Sequence, residues 1–220
     1  MDIGAFNGKD AENNRIILET LALKGSLIKW EILKKVKETK KKITWATVSR
    51  RVDDLKERGY ITETGKRRTS VAKREQDSPI YGLTWKGLVA SLPSHEVRNN
   101  IVKVIEMSPH LKPLHTLLSM TRGIYTEDEI RDVTDKFYKA VRLIPLELES
   151  VNETDFFFYL SAALFRTDFS IPEKDLSKLE QNPELLKFLY NAVIKEEEST
   201  VKSLENLRGM KAWLEQRLRR

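Results

Sequence analysis

The 220-residue sequence contains no cysteine and only three histidines, His95, His110 and His115. The missing thiols exclude disulfides and thiol chemistry and argue against a structural zinc site. They also fit a reducing compartment, and the cytoplasm is the expected location. His110 and His115 stand five apart across Pro113, the wrong spacing for one helical face. No run of about 18 apolar residues occurs, so no membrane span is expected. The first fourteen residues lack the basic start and apolar core of a secretion signal. Gly65-Lys66 is not a phosphate loop, because no glycine stands five residues earlier and Arg67 replaces the magnesium-binding hydroxyl. No Gly-x-Ser-x-Gly run exists either. Carboxylates are plentiful but fall on charged helix faces. Neither an enzyme nor a bound metal or cofactor is expected.

Glycine and proline are also scarce, at 9 and 7 residues, and 40% of the chain is hydrophobic, the balance of an ordered globular protein. What is abundant is charge, unevenly placed. The net charge is +6. Residues 1–93 carry 20 Lys/Arg against 12 Asp/Glu, or +8, and residues 94–220 carry 19 against 21, or −2. Two readings are open: a polyanion-binding module beside a near-neutral domain, or a basic surface that only solubilises.

The stretch from Thr44 to Gly59 holds the sharpest pattern. Val48, Val52 and Leu55 follow helical spacing and predict one narrow apolar stripe. Thr44 is the expected N-cap and Gly59 the expected stop, since glycine adopts a left-handed backbone without a Cβ penalty. Ala46, Arg50, Asp53, Asp54 and Glu57 then face outward, with Thr47 and Ser49 on the flanks. Small or hydrogen-bonding side chains and an arginine occupy the first turns, and the acids follow. A helix whose N-terminal half lies in a DNA major groove has this layout. A solvated helix whose arginines pair with its own acids has it too.

Around this stretch the chain reads in order. Residues 1–11 form an aperiodic tail, and Glu12 to Leu23 a helix ended by Gly25. A second helix, capped by Ser26, runs from Leu27 to Glu38, and the basic link of Lys40, Lys41 and Lys42 leads to Thr44. After Gly59, Tyr60–Thr64 alternates as a strand, Gly65–Ser78 reads as a long basic loop, and Pro79–Thr84 is a second strand. Thr84 caps a short helix from Trp85 to Ser91, closed by Pro93.

The segment Thr44–Thr64, with its Thr-Val-Ser-Arg-Arg-Val-x-x-Leu-x-x-x-Gly-Tyr-Ile run, and the later Tyr-x-Leu-Thr-x-x-Gly run over Tyr81–Gly87 resemble bacterial and archaeal winged helix-turn-helix transcription regulators of the broad MarR, ArsR and PadR kind. The resemblance covers about residues 12–92. It implies a mainly α fold with a two-stranded β-hairpin wing, and a third helix that enters the major groove of double-stranded DNA. On these residues it implies base-edge contacts by Thr47, Ser49 and Arg50, bordered by Thr44 and Ala46, and a phosphate contact by Arg51. Arg67 and Arg68, with Lys66, Lys73 and Arg74 in the same basic loop, would meet the backbone or minor groove. Lys40, Lys41 and Lys42 would add charge-only contacts.

A boundary after Pro93 is expected, giving a DNA-binding domain over 1–93 and an all-α dimerisation or regulatory domain over 94–220. Ser94 opens a helix with Val97, Ile101, Val104 and Ile105 on one side, stopped by Pro109. Another helix spans Pro113–Thr121, and Thr126-Glu-Asp-Glu129 is a capping box for a helix to Leu143. Asp155–Phe165 is nearly all apolar, and Phe156, Phe157, Phe158 and Tyr159 either fill the core or line a small-molecule effector pocket. A last helix, capped by Asn182, reaches toward Arg219. Along it Leu186, Val193, Thr200, Leu207 and Leu214 repeat every seven residues, as do Tyr190, Glu197, Leu204, Lys211 and Leu218. That is a homodimer seam with polar interruptions, or a helix packed along its own domain. An antiparallel pair centred on Leu204 would set Glu197 opposite Lys211. Together these features predict a homodimeric, sequence-specific DNA-binding transcription regulator. The alternative is a winged-helix module that docks protein or RNA in a larger assembly.

Overall fold

The computed structural model describes residues 10–39, 42–71, 74–121, 125–143 and 183–218. The fold is mainly helical, with one small three-stranded antiparallel sheet. The expected N-terminal tail to residue 9, Lys40, Lys41, Lys73, the aromatic run Phe156–Tyr159 and the Asn182 cap lie outside the described residues. By its packing the chain divides into two units, Met1–Val151 and Asn152–Arg220.

In the first unit, α1 (Ala11–Lys24) buries Ile17, Leu18, Leu21 and Ala22 and ends at Gly25, whose φ of 77° is the left-handed backbone glycine permits. Next comes β1 (Leu27–Ile28), then α2 (Lys29–Thr39), which buries Ile32, Leu33 and Val36. Here the structure corrects the sequence reading, which started this helix at Leu27 under a Ser26 cap. Leu27 and Ile28 instead pair with Tyr81 and Ile80 of a later strand, and the Ile28 N–H donates to Glu31 Oε2 at 3.1 Å. Two strand residues whose partners are more than fifty positions away leave no local signal.

The third helix, α3 (Trp45–Glu57), places Val48, Val52 and Leu55 wholly inside. Full burial of each stabilises the fold by roughly 1.5–3 kcal/mol. Its start is capped as expected: Thr44 Oγ1 accepts from the Thr47 N–H at 3.2 Å. At its end the Tyr60 N–H donates to Leu55 O and the Gly59 N–H to Lys56 O, the paired bonds of a Schellman stop, with Gly59 at φ 76°. Tyr60 and Leu55, the residues joined by the first of these bonds, are both fully buried.

Two long strands follow, β2 (Ile61–Val71) and β3 (Arg74–Leu83), in the sheet order β1-β3-β2. The pairing runs from Ile61↔Leu83 to Val71↔Arg74, with a bulge at Thr64. The expected basic loop Gly65–Ser78 is therefore corrected to strand over most of its length. Ile61 and Leu83 are buried, whereas 66–68 and 75–77 are exposed. Beyond Ile80 no described residue of the ribbon is buried, and the apolar alternation that marks a half-buried strand is missing there.

Thr84 caps α4 (Trp85–Ser91), accepting from the Gly87 N–H. Then α5 (His95–Asn99) and α6 (Ile101–Glu106) bury Val97, Ile101, Val104 and Ile105, the stripe read from sequence, although Asn100 divides the single helix expected there. These elements pack on α1, so the first unit continues past the division drawn after Pro93. After α7 (Lys112–Thr121) comes α8 (Glu127–Leu143), whose capping box forms in full: the Thr126 N–H donates to Glu129 Oε2 at 2.7 Å, and the Glu129 N–H returns to Thr126 Oγ1 at 3.3 Å. Arg98 joins α5 to α8 by pairing with Asp135 and lying 4.6 Å from the Tyr138 ring, while it also donates to Leu92 O.

In the second unit the described element is α9 (Pro183–Leu218), 36 residues long. No helix among the described residues is long and apolar enough to cross a membrane.

Candidate nucleic-acid interface

Burying Val48, Val52 and Leu55 fixes the rotation of α3 and so decides what it presents. Ala46 and Arg50 face solvent, and the Arg50 side chain is 66% exposed. Thr47 is half-buried beside them, its hydroxyl 2.9 Å from that of Thr44. One open guanidinium next to a methyl and two hydroxyls can donate a planar fork to an anionic oxygen or to a guanine edge, with little bulk to hold a partner off.

The flanks of α3 are tied down. On one side Lys29, from the start of α2, reaches Ser49 Oγ at 3.2 Å and both Asp53 oxygens at 2.6 and 2.8 Å. Ser49 is thus engaged with the scaffold. On the other side Arg51 is only 15% exposed and pairs with Asp10 and Asp54, each at 3.3 Å. A phosphate contact was expected of Arg51, but its location three residues after Val48 turns it toward α1, and it serves to hold α3 there. Asp54 also accepts from Arg58 at 3.1 Å. Two of the acids at the C-terminal end of α3 therefore spend their charge on internal cations.

Sequence reasoning did not single out Asp10, Lys29, Glu31 or Trp45. Asp10 precedes α1 but makes no side-chain cap; its carboxylate lies 3.7 Å from Arg50 and 3.3 Å from Arg51. Trp45, the first residue of α3, is 48% exposed. Three positions before Val48, it sits at the edge of the apolar stripe, where spacing gives no clear direction. The ion-pair partners of Lys29 and Glu31, Asp53 and Arg67, are 24 and 36 residues distant, beyond any local pattern.

The hairpin supplies further cations. Lys66, Arg67 and Arg68 are all exposed. Arg67 pairs with Glu31 at 2.6 Å, which anchors the ribbon to the start of α2. Arg68 lies 3.4 Å from Glu75 on the opposite strand, with both side chains largely in water. Arg74 is paired with Val71 in the strand register. Lys42 and Lys66 have no ion-pair partner among the described residues. At the base of the ribbon, Lys56 is held above its ordinary pKa, first by its hydrogen bond to Glu63. Tyr81 is likewise pushed up, chiefly by burial and then by the charges of Glu63 and Asp53.

The expected seam on α9 stands in water. Leu186, Tyr190, Val193, Leu204, Leu207 and Leu214 are exposed, as are the interrupting Glu197, Thr200 and Lys211, and Leu218 ends the helix. Among the described residues no group of three or more His, Asp or Glu could hold a metal ion. No protein-family model, curated protein or solved structure matches this chain.

Proposed function

We propose that the chain is a sequence-specific DNA-binding regulator, and that α1, α2, α3 and the β2–β3 ribbon form a winged helix-turn-helix that reads a duplex. One observation carries the reading: Arg50 stands open beside Ala46 and Thr47 on the outer face of α3, with the cations of the ribbon in the same small module. The local excess of +8 supports it, since polyanion binding draws on such a field. In this reading α3 enters the major groove and Arg50 reads a base, while Lys66, Arg67 and Arg68 neutralise phosphates. One such module contacts too few base pairs for a genomic address, so two copies act on a near-palindrome with half-sites about one helical turn apart. The second reading, a module that docks protein or RNA, draws on Trp30, which is 58% exposed on α2 with Lys34 over its ring.

Selection of bound fragments from genomic DNA, followed by anisotropy titrations, tests the proposal. Arg50→Ala is expected to weaken the selected site by about 1–3 kcal/mol and relax preference at one position. Equal weakening on every sequence would remove Arg50 as the reader, and no saturable duplex binding would remove the proposal. Asp10→Asn should act oppositely. It takes a competing carboxylate from the Arg50 guanidinium, and because that pair is exposed the gain is small, about two- to fivefold. An unchanged affinity would show that the Asp10 charge is not felt at the interface.

A further inference from the structure

The C-terminal half of α9 carries an unusual surface. Val201, Leu204, Leu207, Met210 and Trp213 are 45–63% exposed and follow one another at intervals of three. An i+3 row is one of the ridges through which helices pack, and exposed apolar surface of this extent on a soluble chain marks an interaction site. The row crosses the sevenfold seam: Leu204 and Leu207 belong to both, while Val201 and Met210 flank the seam on either side. The apolar face is thus widest around residues 201–210.

Charge along the helix indicates what covers it. Glu197 and Glu198 lie before the apolar patch and Arg208 and Lys211 beside and beyond it, all exposed. A second α9 laid parallel and in register would set Glu197 on Glu197 and Lys211 on Lys211 within the seam, and like charges there oppose association. Laid antiparallel, the same helix puts Glu197 opposite Lys211 twice, Val201 opposite Leu207 twice, and Leu204 against its own copy. The contact spans about 21 Å of helix between residues 197 and 211. Such self-complementarity is what a two-fold interface requires, and an unrelated partner would have no need of it.

We propose that a second copy of this chain docks on α9 in that antiparallel register, with the two Leu204 side chains meeting at the axis. This specifies the dimer invoked above, but its test uses no DNA, so the two proposals fail separately. Sedimentation of the full chain is expected to give twice the 25.6 kDa chain mass. Leu207→Glu, at a position exposed in the single chain, should keep the helical circular dichroism and raise the dimer dissociation constant on the order of 100-fold. Since the protein lacks cysteine, Glu197→Cys and Lys211→Cys can be placed without background. A mixture of the two should form an oxidised dimer, and neither alone should. Lys211→Glu in a Glu197→Lys background should restore the association that Glu197→Lys weakens. Wild-type chain that sediments as a monomer at every concentration would overturn the proposal. Self-crosslinking of Glu197→Cys would equally overturn it, by showing a parallel pair.

Discussion

Replacing Gly87 with alanine is expected to destabilise the first unit by about 3 kcal/mol or more and to lower its melting temperature by roughly 10 °C. A Cβ at this position would lie 2.0 Å from the Tyr60 carbonyl oxygen, and that oxygen cannot step aside. It accepts from the Thr84 N–H and from Thr84 Oγ1, each at 3.0 Å, while the same hydroxyl lies 2.7 Å from Gly59 O. The close approach of α4 to the end of α3 is therefore held by backbone on both sides. Gly82→Ala makes the useful comparison, because its clashes are with the side chains of His110, Ser26 and Thr64, at 2.7–2.8 Å. Side chains can rotate, so the loss there should be smaller. Denaturant midpoints for the two variants check the order. An unperturbed Gly87→Ala would mean that α4 does not sit against Tyr60.

Raising salt from 50 to 200 mM is expected to weaken duplex binding by roughly 150-fold per module. The estimate takes about four neutralised phosphates per module and a log–log slope of roughly −3.6. The contributing cations are Lys42, Lys66, Arg67 and Arg68, all exposed. They should not contribute equally. Lys66 has no ion-pair partner among the described residues, so Lys66→Ala should reduce the slope by about 1. Arg67 already faces Glu31 at 2.6 Å, and its removal should change the slope less. Titration of one labelled duplex at several salt concentrations reads both effects. A flat dependence would favour the protein-docking alternative, in which Trp30 rather than the ribbon makes the contact.

The sequence was most informative where a pattern is local. The α3 stripe of Val48, Val52 and Leu55, the Thr44 cap and the left-handed Gly59 follow from spacing and residue chemistry within sixteen positions, and the structure has each of them. The Thr126–Glu129 box has the same origin and the same outcome. Legibility ended where partners are distant or where no core imposes a period. β1 exists because Leu27 and Ile28 find Tyr81 and Ile80. The outer ribbon is strand although its residues alternate nothing apolar, since cross-strand bonds pair it along its length. Of the candidate site, exposure of Arg50 followed from the stripe. The restraint of Ser49 by Lys29 and of Arg51 by Asp10 and Asp54 did not, because ion pairing between elements depends on tertiary placement.

The outer ribbon behaves mechanically as a cantilever. From Gly65↔Ile80 outward none of the described residues is buried, and among them one guanidinium–carboxylate strut, Arg67 to Glu31, braces the ribbon close to its clamped end. A beam held at one end is least restrained far from its clamp. Cutting the strut with Glu31→Gln would soften the mounting without altering any cation, separating the stiffness of the ribbon from its charge.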